Sequence, residues 1–405
     1  MRPSLLASCS IALMLASAAT ARAEPPPGRL GVSWPAWNRK GFAAPQRYVE
    51  RVQRMGIQAV TLVPTYSYAG RNRIDFTQAP TWPRQRAALQ ALLEAGLEVV
   101  YKPHLDPLIY QPGFNRQQSD AHSWRVACPW RGYFDLDPMA PDYADKVVGK
   151  ALEEIAAVLR QLPPAKVAPV LRFELGTELM NSVVHFPARW LALLRRTRAQ
   201  LRRLGLKGQV QLSHNFSHHL LIPEDLVERL DARGRRHLGR YVAGLDAVAL
   251  SQYMDLTAAM PKAARDKRLP TADEVAAALR QHEAHFIDDI LLGRLAVPKA
   301  RLPEIHLGEF GVGSGGLRHP NVWEGDVRGQ AYQRLEQEII RAYEGLMRYL
   351  HAGAGRRAQS AVLWTTGRYF DVFGWQKKHN RIGGAVAAVC ALTRGPACGV
   401  TAGGD

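Results

Sequence analysis

The sequence alternates between short apolar runs and amphipathic stretches along most of its length, and this alternation most constrains the fold. The apolar runs predict eight strands: Leu30–Trp34, Ile57–Val63, Leu97–Pro103, Val167–Gly176, Val210–His214, Leu245–Tyr253, Leu302–Gly308 and Ala361–Thr365. Helical spacing predicts the intervening helices: Pro45–Met55, Pro83–Ala95, Asp142–Gln161, Pro187–Leu204, Pro223–Leu238, Thr271–Leu292 and Gly329–Ala352. Eight strands with helical crossovers predict an α/β fold, a (β/α)8 TIM barrel with enlarged loops at its C-terminal face. A doubly wound sheet is the alternative, but no phosphate-binding turn follows the first strand.

The N-terminus has the pattern of a secretory signal peptide. Arg2 supplies a positive charge, an Ala-rich apolar segment follows, and Ala21-Arg22-Ala23 matches a cleavage site. We therefore expect a signal peptide over 1–23, a single catalytic domain over 24–394 and a C-terminal tail over 395–405. Since no later stretch reaches the roughly 18 apolar residues of a membrane span, we expect a periplasmic or extracellular protein without stable membrane insertion.

The chain is strongly basic, with 53 Lys and Arg against 36 Asp and Glu and a formal net charge of +17. Such a balance attracts anionic partners. Export and the lack of a recognition motif argue against nucleic acid, which leaves an acidic polysaccharide as the expected partner. The alternative is that the arginines lie on solvated helix faces and contact no partner.

Three cysteines follow the signal segment. In an oxidising compartment Cys390 and Cys398 can form a disulfide, which leaves Cys128 unpaired. None of their spacings matches a zinc site. His104 and Asp106 form a His-x-Asp pair that can ligate a metal, but no further histidine has a fixed spacing with it. Metal catalysis is therefore the less favoured alternative, and no cofactor is expected.

Two glutamates each lie just beyond an apolar run and a glycine. Glu178 follows Leu171–Gly176, and Glu309 follows Glu304–Gly308. They are 131 positions apart (309 minus 178), as expected for the ends of two different strands of one barrel. Glycoside hydrolysis requires two facing carboxyl groups, one to protonate the leaving oxygen and one to attack the sugar or activate water. The pair is therefore the predicted catalytic pair.

Strand alternation separates Glu178 from its neighbour Glu174. Arg172, Glu174 and Gly176 share one face, which we expect to point to the barrel axis, and Glu178 continues that parity into the barrel mouth. Glu174 is expected to lie deeper, with Arg172 as its partner, in a structural role. Parity alone does not orient Glu309, although a bulge at Gly308 can redirect it.

Aromatic and polar residues near the predicted strand ends are candidates for substrate binding. Trp364, Trp34 and Tyr66 offer flat faces for a sugar ring, and Tyr253 can donate a hydrogen bond to Glu309 and keep it ionised. The remaining polar candidates near strand ends are Lys102, His104, Asn181 and His214. Each of these eight residues has an ordinary structural role as its alternative.

Taken together, the segments of the fourth, seventh and eighth strands resemble clan A glycoside hydrolases, which are retaining TIM-barrel enzymes. Within that clan, Tyr101–Asp106 and Leu175–Leu179 resemble family 113, the endo-β-mannanases. The resemblance implies that Glu178 is the acid/base, Glu309 the nucleophile, Tyr253 the nucleophile's partner and Trp364 the floor of the cleavage subsite. Many clan members have Asn before the acid/base, where this chain has Thr177.

The sequence thus predicts a secreted retaining endo-glycosidase that cleaves a β-linked polysaccharide. The alternative is a non-catalytic polysaccharide-binding barrel associated with exopolysaccharide export, because a barrel fold does not fix function.

Overall fold

The computed structural model describes residues 28–107, 131–163, 171–218, 229–253, 255–318, 320, 329–352 and 357–364. Eight parallel strands form the barrel: β1 (Arg29–Ala36), β2 (Ala59–Gly70), β4 (Glu98–Tyr101), β6 (Leu171–Thr177), β7 (Val210–Ser217), β8 (Ala247–Gln252), β9 (Glu304–Phe310) and β10 (Ala358–Leu363). The barrel is closed because β1 pairs with both β2 and β10: Val32 lies opposite Val60 on one side and Leu363 on the other. The predicted TIM barrel is confirmed.

Helices cover the outside of the barrel. They are α1 (Pro45–Arg54), α2 (Trp82–Glu94), α3 (Lys150–Gln161), α4 (Met180–His185), α5 (Pro187–Arg203), α6 (Ala232–Ala243), α7 (Pro261–Arg265), α8 (Ala272–Ala284) and α9 (Gly329–His351). Two predicted helices each include a π-helical segment: Asp142–Gly149 leads into α3, and His285–Arg294 continues α8. At the start of α8, Thr271 and Glu274 form a capping box, which satisfies two backbone N–H groups that a helix end otherwise leaves unpaired.

One helix prediction is wrong in its bounds. The predicted Pro223–Leu238 overlaps a helix that begins at Ala232 and ends at Ala243. Asp231 sets the start, because its side chain accepts the backbone N–H of Gly234 at 2.6 Å. Residues 219–228 lie outside the described chain.

The C-terminal face carries short elements that the sequence did not predict. Strand β2 extends beyond the barrel and pairs antiparallel with β3 (Arg73–Asp75). The predicted strand Leu97–Pro103 ends at Tyr101, and a separate strand β5 (His104–Pro107) then pairs with the extension of β2. This second strand holds His104 and Asp106 above the barrel mouth.

The opposite end of the barrel interior holds a buried polar cluster. Arg172 forms an ion pair with Glu98 and a hydrogen bond with His306, whose Nδ1 lies 2.8 Å from the Ser360 hydroxyl. Glu98 also pairs with Arg29 at 2.9 Å. The ion-pair partner of Arg172 is therefore Glu98 rather than the predicted Glu174, because Arg172 extends toward the start of the strands.

Several sequence predictions lie outside the described residues. They are the signal peptide 1–23, the C-terminal tail 395–405, Cys128, and the Cys390–Cys398 disulfide. Most of the aromatic segment after the third predicted strand, 108–130, also lies outside them. Among the helices that the structure describes, none has the length and apolar character to cross a membrane.

Candidate active site

Glu178 reaches the barrel mouth through an irregularity in β6, not through simple alternation. The pairing of β6 with β7 shifts register between Glu174 and Thr177. A Cβ on Gly176 would lie 2.6 Å from His214 Cε1 and 2.7 Å from the Trp190 ring, so this position faces the helix layer and has room only for glycine. The prediction that Gly176 points to the axis is therefore wrong. The shift instead turns Thr177 inward, where its hydroxyl donates to Glu174 Oε2 at 3.2 Å.

The backbone of Glu178 adopts a left-handed conformation with φ of 53°. Such a φ is uncommon for a non-glycine residue and costs about 1 kcal/mol or more. Its N–H donates to the Asn215 carbonyl at 2.8 Å, and its own carbonyl accepts the Met180 N–H at 2.9 Å. These two bonds hold the strained turn that carries the carboxylate over the barrel.

Glu309 is redirected by a bulge at Gly308, as the sequence suggested. The pairing of β8 with β9 shifts between Leu250 and Ser251, so that Glu309 lies opposite Ser251. A Cβ on Gly308 would overlap the side-chain oxygen of Asn215 and lie 2.7 Å from Ala249 Cβ, and glycine is therefore required there. With the bulge, Glu309 joins the inward-facing side chains instead of packing with Leu307.

Three side chains surround the Glu309 carboxylate. Lys102 Nζ lies 2.7 Å from Oε1, His104 Nε2 lies 3.4 Å from the same oxygen, and the Tyr253 hydroxyl donates to Oε2 at 3.1 Å. Burial acts to raise the pKa of Glu309, but the charge of Lys102, followed by contacts with His104 and the charge of Arg131, holds it well below its ordinary value. Glu309 is therefore ionised at neutral pH.

Glu178 has the opposite electrostatic balance. Burial, followed by the negative charge of Glu309, raises the pKa of Glu178, while the charge of Arg131 and a hydrogen bond with Ser251 oppose this rise. Arg131 Nη1 donates to Glu178 Oε2 at 3.0 Å. Between these two glutamates, Asn215 of β7 donates from Nδ2 to the hydroxyl of Ser251 on β8 at 2.8 Å. Two neighbouring carboxyl groups thus have pKa values shifted in opposite directions.

Arg131 is a site residue that the sequence analysis missed. Besides Glu178, its Nη2 donates to Asp106 Oδ1 at 2.7 Å and its Nε donates to the Leu105 carbonyl at 3.1 Å. It belongs to a short 3-10 turn, Arg131–Tyr133, and to no predicted strand or helix. No periodicity or spacing related it to Glu178, so local sequence carried no signal for it.

A third carboxylate lies beneath the pair. Lys102 Nζ lies 3.7 Å from Glu174 Oε2 and donates to the Gly308 carbonyl at 3.3 Å. Burial raises the pKa of Glu174 to about 7 against the opposing charge of Lys102. The side chain of Lys102 has 0% exposure. It contacts these carboxylates and has no exposed surface with which to bind a ligand.

Of the predicted aromatic platforms, the structure brings Trp364 to the site. Its ring stacks on His104 with centroids 5.4 Å apart, and it packs with Val63 and Tyr253. Burial, followed by the charge of Arg131, lowers the pKa of His104 to about 4, so a neutral imidazole lies between Trp364 and Glu309.

The other predicted ligand-binding residues lie elsewhere. Trp34 stacks on Tyr48 of α1 with centroids 3.9 Å apart, and Tyr66 packs against Trp82 of α2. His214 packs on Trp190, and its Nδ1 lies 2.9 Å from the Tyr241 hydroxyl. These three side chains contact helix residues, so they lie on the helix-facing side of their strands. Asn181 is half-buried on α4, three residues after Glu178.

Sequence comparison gives no relative: no family model matches the chain, and no curated protein matches it. Similarity appears in the three-dimensional fold. A GH113 β-mannanase from Alicyclobacillus acidocaldarius, AaManA in complex with ManMIm, has a TM-score of 0.53 at 14% identity and covers 91% of this chain and 95% of that chain. A GH113 β-1,4-mannanase structure has a TM-score of 0.53 at 14% identity over 91% and 99% of the two chains. A complex structure of a GH113 β-1,4-mannanase has a TM-score of 0.52 at 14% identity over 90% and 98%. At this identity the similarity establishes the fold, and the resemblance predicted from short motifs is confirmed at that level.

Proposed function

We propose that this chain is a retaining glycoside hydrolase that cleaves a β-linked polysaccharide. The observation that carries the proposal is the pair of buried carboxyl groups at the C-terminal ends of β6 and β9. Glu309 is held ionised by Lys102, while burial and Glu309 raise the pKa of Glu178. A retaining glycosidase needs this division, because one group attacks as an anion and the other donates a proton.

The proposed reaction has two steps. Ionised Glu309 attacks the anomeric carbon and forms a covalent glycosyl–enzyme, while protonated Glu178 donates its proton to the leaving oxygen. Glu178 then accepts a proton from the incoming water, which attacks the anomeric carbon and releases Glu309. Each oxygen of the Glu309 carboxylate has its own partner: the Tyr253 hydroxyl donates to Oε2 at 3.1 Å, and the positive charge of Lys102 lies 2.7 Å from Oε1.

Trp364 is the proposed floor of the cleavage subsite. Trp364 is 9% exposed and lies beside His104 and Tyr253, which both contact the Glu309 carboxylate. A flat indole at this position can pack against the apolar face of a sugar. The fold similarity to β-mannanases makes β-mannan a first substrate to test, with β-glucans beside it. We also propose export, from the signal-like residues 1–23.

The test is release of reducing ends from β-mannan, β-glucans and acidic β-linked polysaccharides by the purified protein. Glu178→Gln and Glu309→Gln should each lower the rate by about 100- to 10,000-fold, because each removes a group needed in the transition state. Glu304→Gln is the matched control, since Glu304 lies on β9 with Glu309 but at its exposed opposite end. NMR of the first-formed product reports the anomer, and retention of configuration is expected.

The alternative, a non-catalytic binding barrel, predicts a different result. All four proteins would bind a polysaccharide and none would release reducing ends. Release of an inverted anomer would instead leave a glycosidase but exclude Glu309 as the nucleophile.

A further inference from the structure

The ion pair between Arg131 and Glu178 conflicts with the role proposed for Glu178. A general acid must carry a proton, but an arginine that donates to its Oε2 at 3.0 Å favours the ionised carboxylate. Release of Glu178 by Arg131 therefore favours the protonated form that a general acid needs. What replaces Glu178 on the guanidinium is then a question of substrate chemistry.

Arg131 is the outermost charged side chain of this cluster. Its side chain is 16% exposed, against 10% for Asp106, 8% for Glu178, 4% for Glu309 and 0% for Lys102. Among these charged groups Arg131 therefore has the largest exposed fraction that a ligand could contact. Lys102, the second cation, is fully covered and is already paired with Glu309 at 2.7 Å.

We propose that Arg131 selects a substrate whose sugar units carry a carboxylate, a uronic-acid polysaccharide, and that this carboxylate displaces Glu178 from the arginine. The inference rests on the proposed function, because it assigns the substrate class of the same site. Asp106 holds Nη2 at 2.7 Å and the Leu105 carbonyl holds Nε at 3.1 Å, so the guanidinium stays in place while Nη1 changes partner.

The charge balance favours an anionic substrate over a neutral one. When a substrate carboxylate takes the place of Glu178 on Nη1 and Glu178 accepts a proton, the net charge of the buried cluster does not change. A neutral sugar leaves Arg131 without that second anion, and the charged form of Glu178 remains its best partner. The net charge of +17 acts in the same direction over longer distances by attracting a polyanion.

The experiment compares polymers that differ only in the carboxylate. Poly-β-1,4-mannuronate and the β-1,4-mannan made from it by carboxyl reduction form one pair, and β-1,4-glucuronan and its reduced β-1,4-glucan form a second. We expect the wild-type kcat/KM to be roughly ten-fold or more higher on the acidic member of at least one pair. Arg131→Gln should abolish that preference. Arg131→Lys keeps the positive charge but loses the planar set of N–H donors of the guanidinium, and it should retain part of the preference.

Two controls separate this role from others. Arg54→Gln removes one positive charge from the exposed end of α1 and should leave the preference intact, which excludes a general charge effect. Thermal unfolding shows whether Arg131→Gln is folded. If it is not, the partial loss of preference expected for Arg131→Lys becomes the test. Preference for the neutral member in both pairs, or a preference that survives Arg131→Gln, overturns the inference.

Failure of the proposed function gives a distinct result. If the wild type cleaves none of the four polymers, calorimetry with the same polymers measures binding alone. Arg131-dependent binding of an acidic polymer then supports carboxylate recognition without hydrolysis. Equal binding within both pairs, or no binding, overturns the inference.

Discussion

Lys102 Nζ lies 2.7 Å from Glu309 Oε1, and the lysine side chain has no exposed surface. The same ammonium group lies 3.7 Å from Glu174. A buried cation between two carboxylates offsets the cost of burying either one as an anion. Lys102 therefore controls the ionisation of the proposed nucleophile from below, on the side away from the substrate.

Replacement of Lys102 by Met should nearly abolish activity at neutral pH. Loss of the ammonium group raises the pKa of Glu309, so the acidic limb of the kcat/KM profile should move to higher pH. We expect a loss of about 100-fold or more at neutral pH, measured as kcat/KM on the substrate identified by the panel. Lys146→Met, at a 62% exposed side chain, is the control. A variant with an unchanged acidic limb would contradict this role for Lys102.

The basic limb of the same profile should report Glu178. Activity requires its protonated form, so the rate should fall as pH rises through the raised pKa of Glu178. Because Arg131 opposes that rise, Arg131→Gln should move the basic limb to still higher pH, and Arg131→Lys should move it less. The measurement is kcat/KM against pH, which reports the free enzyme. A shift to lower pH in Arg131→Gln would exclude Glu178 as the group responsible.

Glu174 should make the protein less stable as pH rises. Burial raises the pKa of Glu174 to about 7 from an ordinary 4.5, so the folded state holds a proton that the unfolded state has already lost between these values. The contribution of Glu174 to the free energy of unfolding should therefore fall between pH 4.5 and 7, by roughly 3 kcal/mol. Urea unfolding of the wild type and of Glu174→Gln at pH 5 and pH 8 measures this contribution as the difference between the two proteins.

Glu174→Gln should remove most of that pH dependence, because a neutral amide cannot lose the proton. Glu50→Gln, on the exposed face of α1, controls for a change of one carboxylate. If Glu174→Gln and the wild type lose the same stability between the two pH values, the pKa of Glu174 is not raised in the folded state.

The barrel could be predicted from the sequence because alternating strands and helices leave few ways to bury their apolar faces. The sequence also placed Glu178 and Glu309 near the ends of β6 and β9, although β9 continues through Glu309 to Phe310 instead of ending at Gly308. The direction of each side chain there did not follow, because a bulge reverses the alternation. Gly308 marked where a bulge was possible, whereas the register shift beside Gly176 was not predicted.

Trp34, Tyr66 and His214 show why nearness to a strand end does not by itself place a side chain at the mouth. They were chosen because they lie near strand ends, yet each shares the parity of residues that face the helices. Trp34 lies on the same face of β1 as Val32, and His214 lies on the same face of β7 as Leu212; Val32 and Leu212 belong to the buried core. Strict use of that parity would have placed Trp34 and His214 on the helix-facing side. Arg131 offered no comparable signal, since its contact with Glu178 joins residues 47 apart in sequence.

The two tryptophans near barrel strand ends provide a direct test of this distinction. Trp364 stacks on His104 beside Glu309, whereas Trp34 stacks on Tyr48 in the helix layer. Trp364→Ala should lower kcat/KM by about 10- to 100-fold through loss of roughly 1–3 kcal/mol of sugar stacking, and Trp364→Phe should recover much of it. Trp34→Phe should leave kcat/KM near that of the wild type and act mainly on stability, since its ring stacks on Tyr48 in the helix layer. Each variant is measured by initial rates and by thermal unfolding, so that a loss of folded protein is not counted as a loss of binding. If Trp34→Phe impaired catalysis and Trp364→Ala did not, the substrate would contact a different side of the barrel mouth. That result would contradict the assignment of Trp364 as the subsite floor and of Glu309 as the group beside the cleaved sugar.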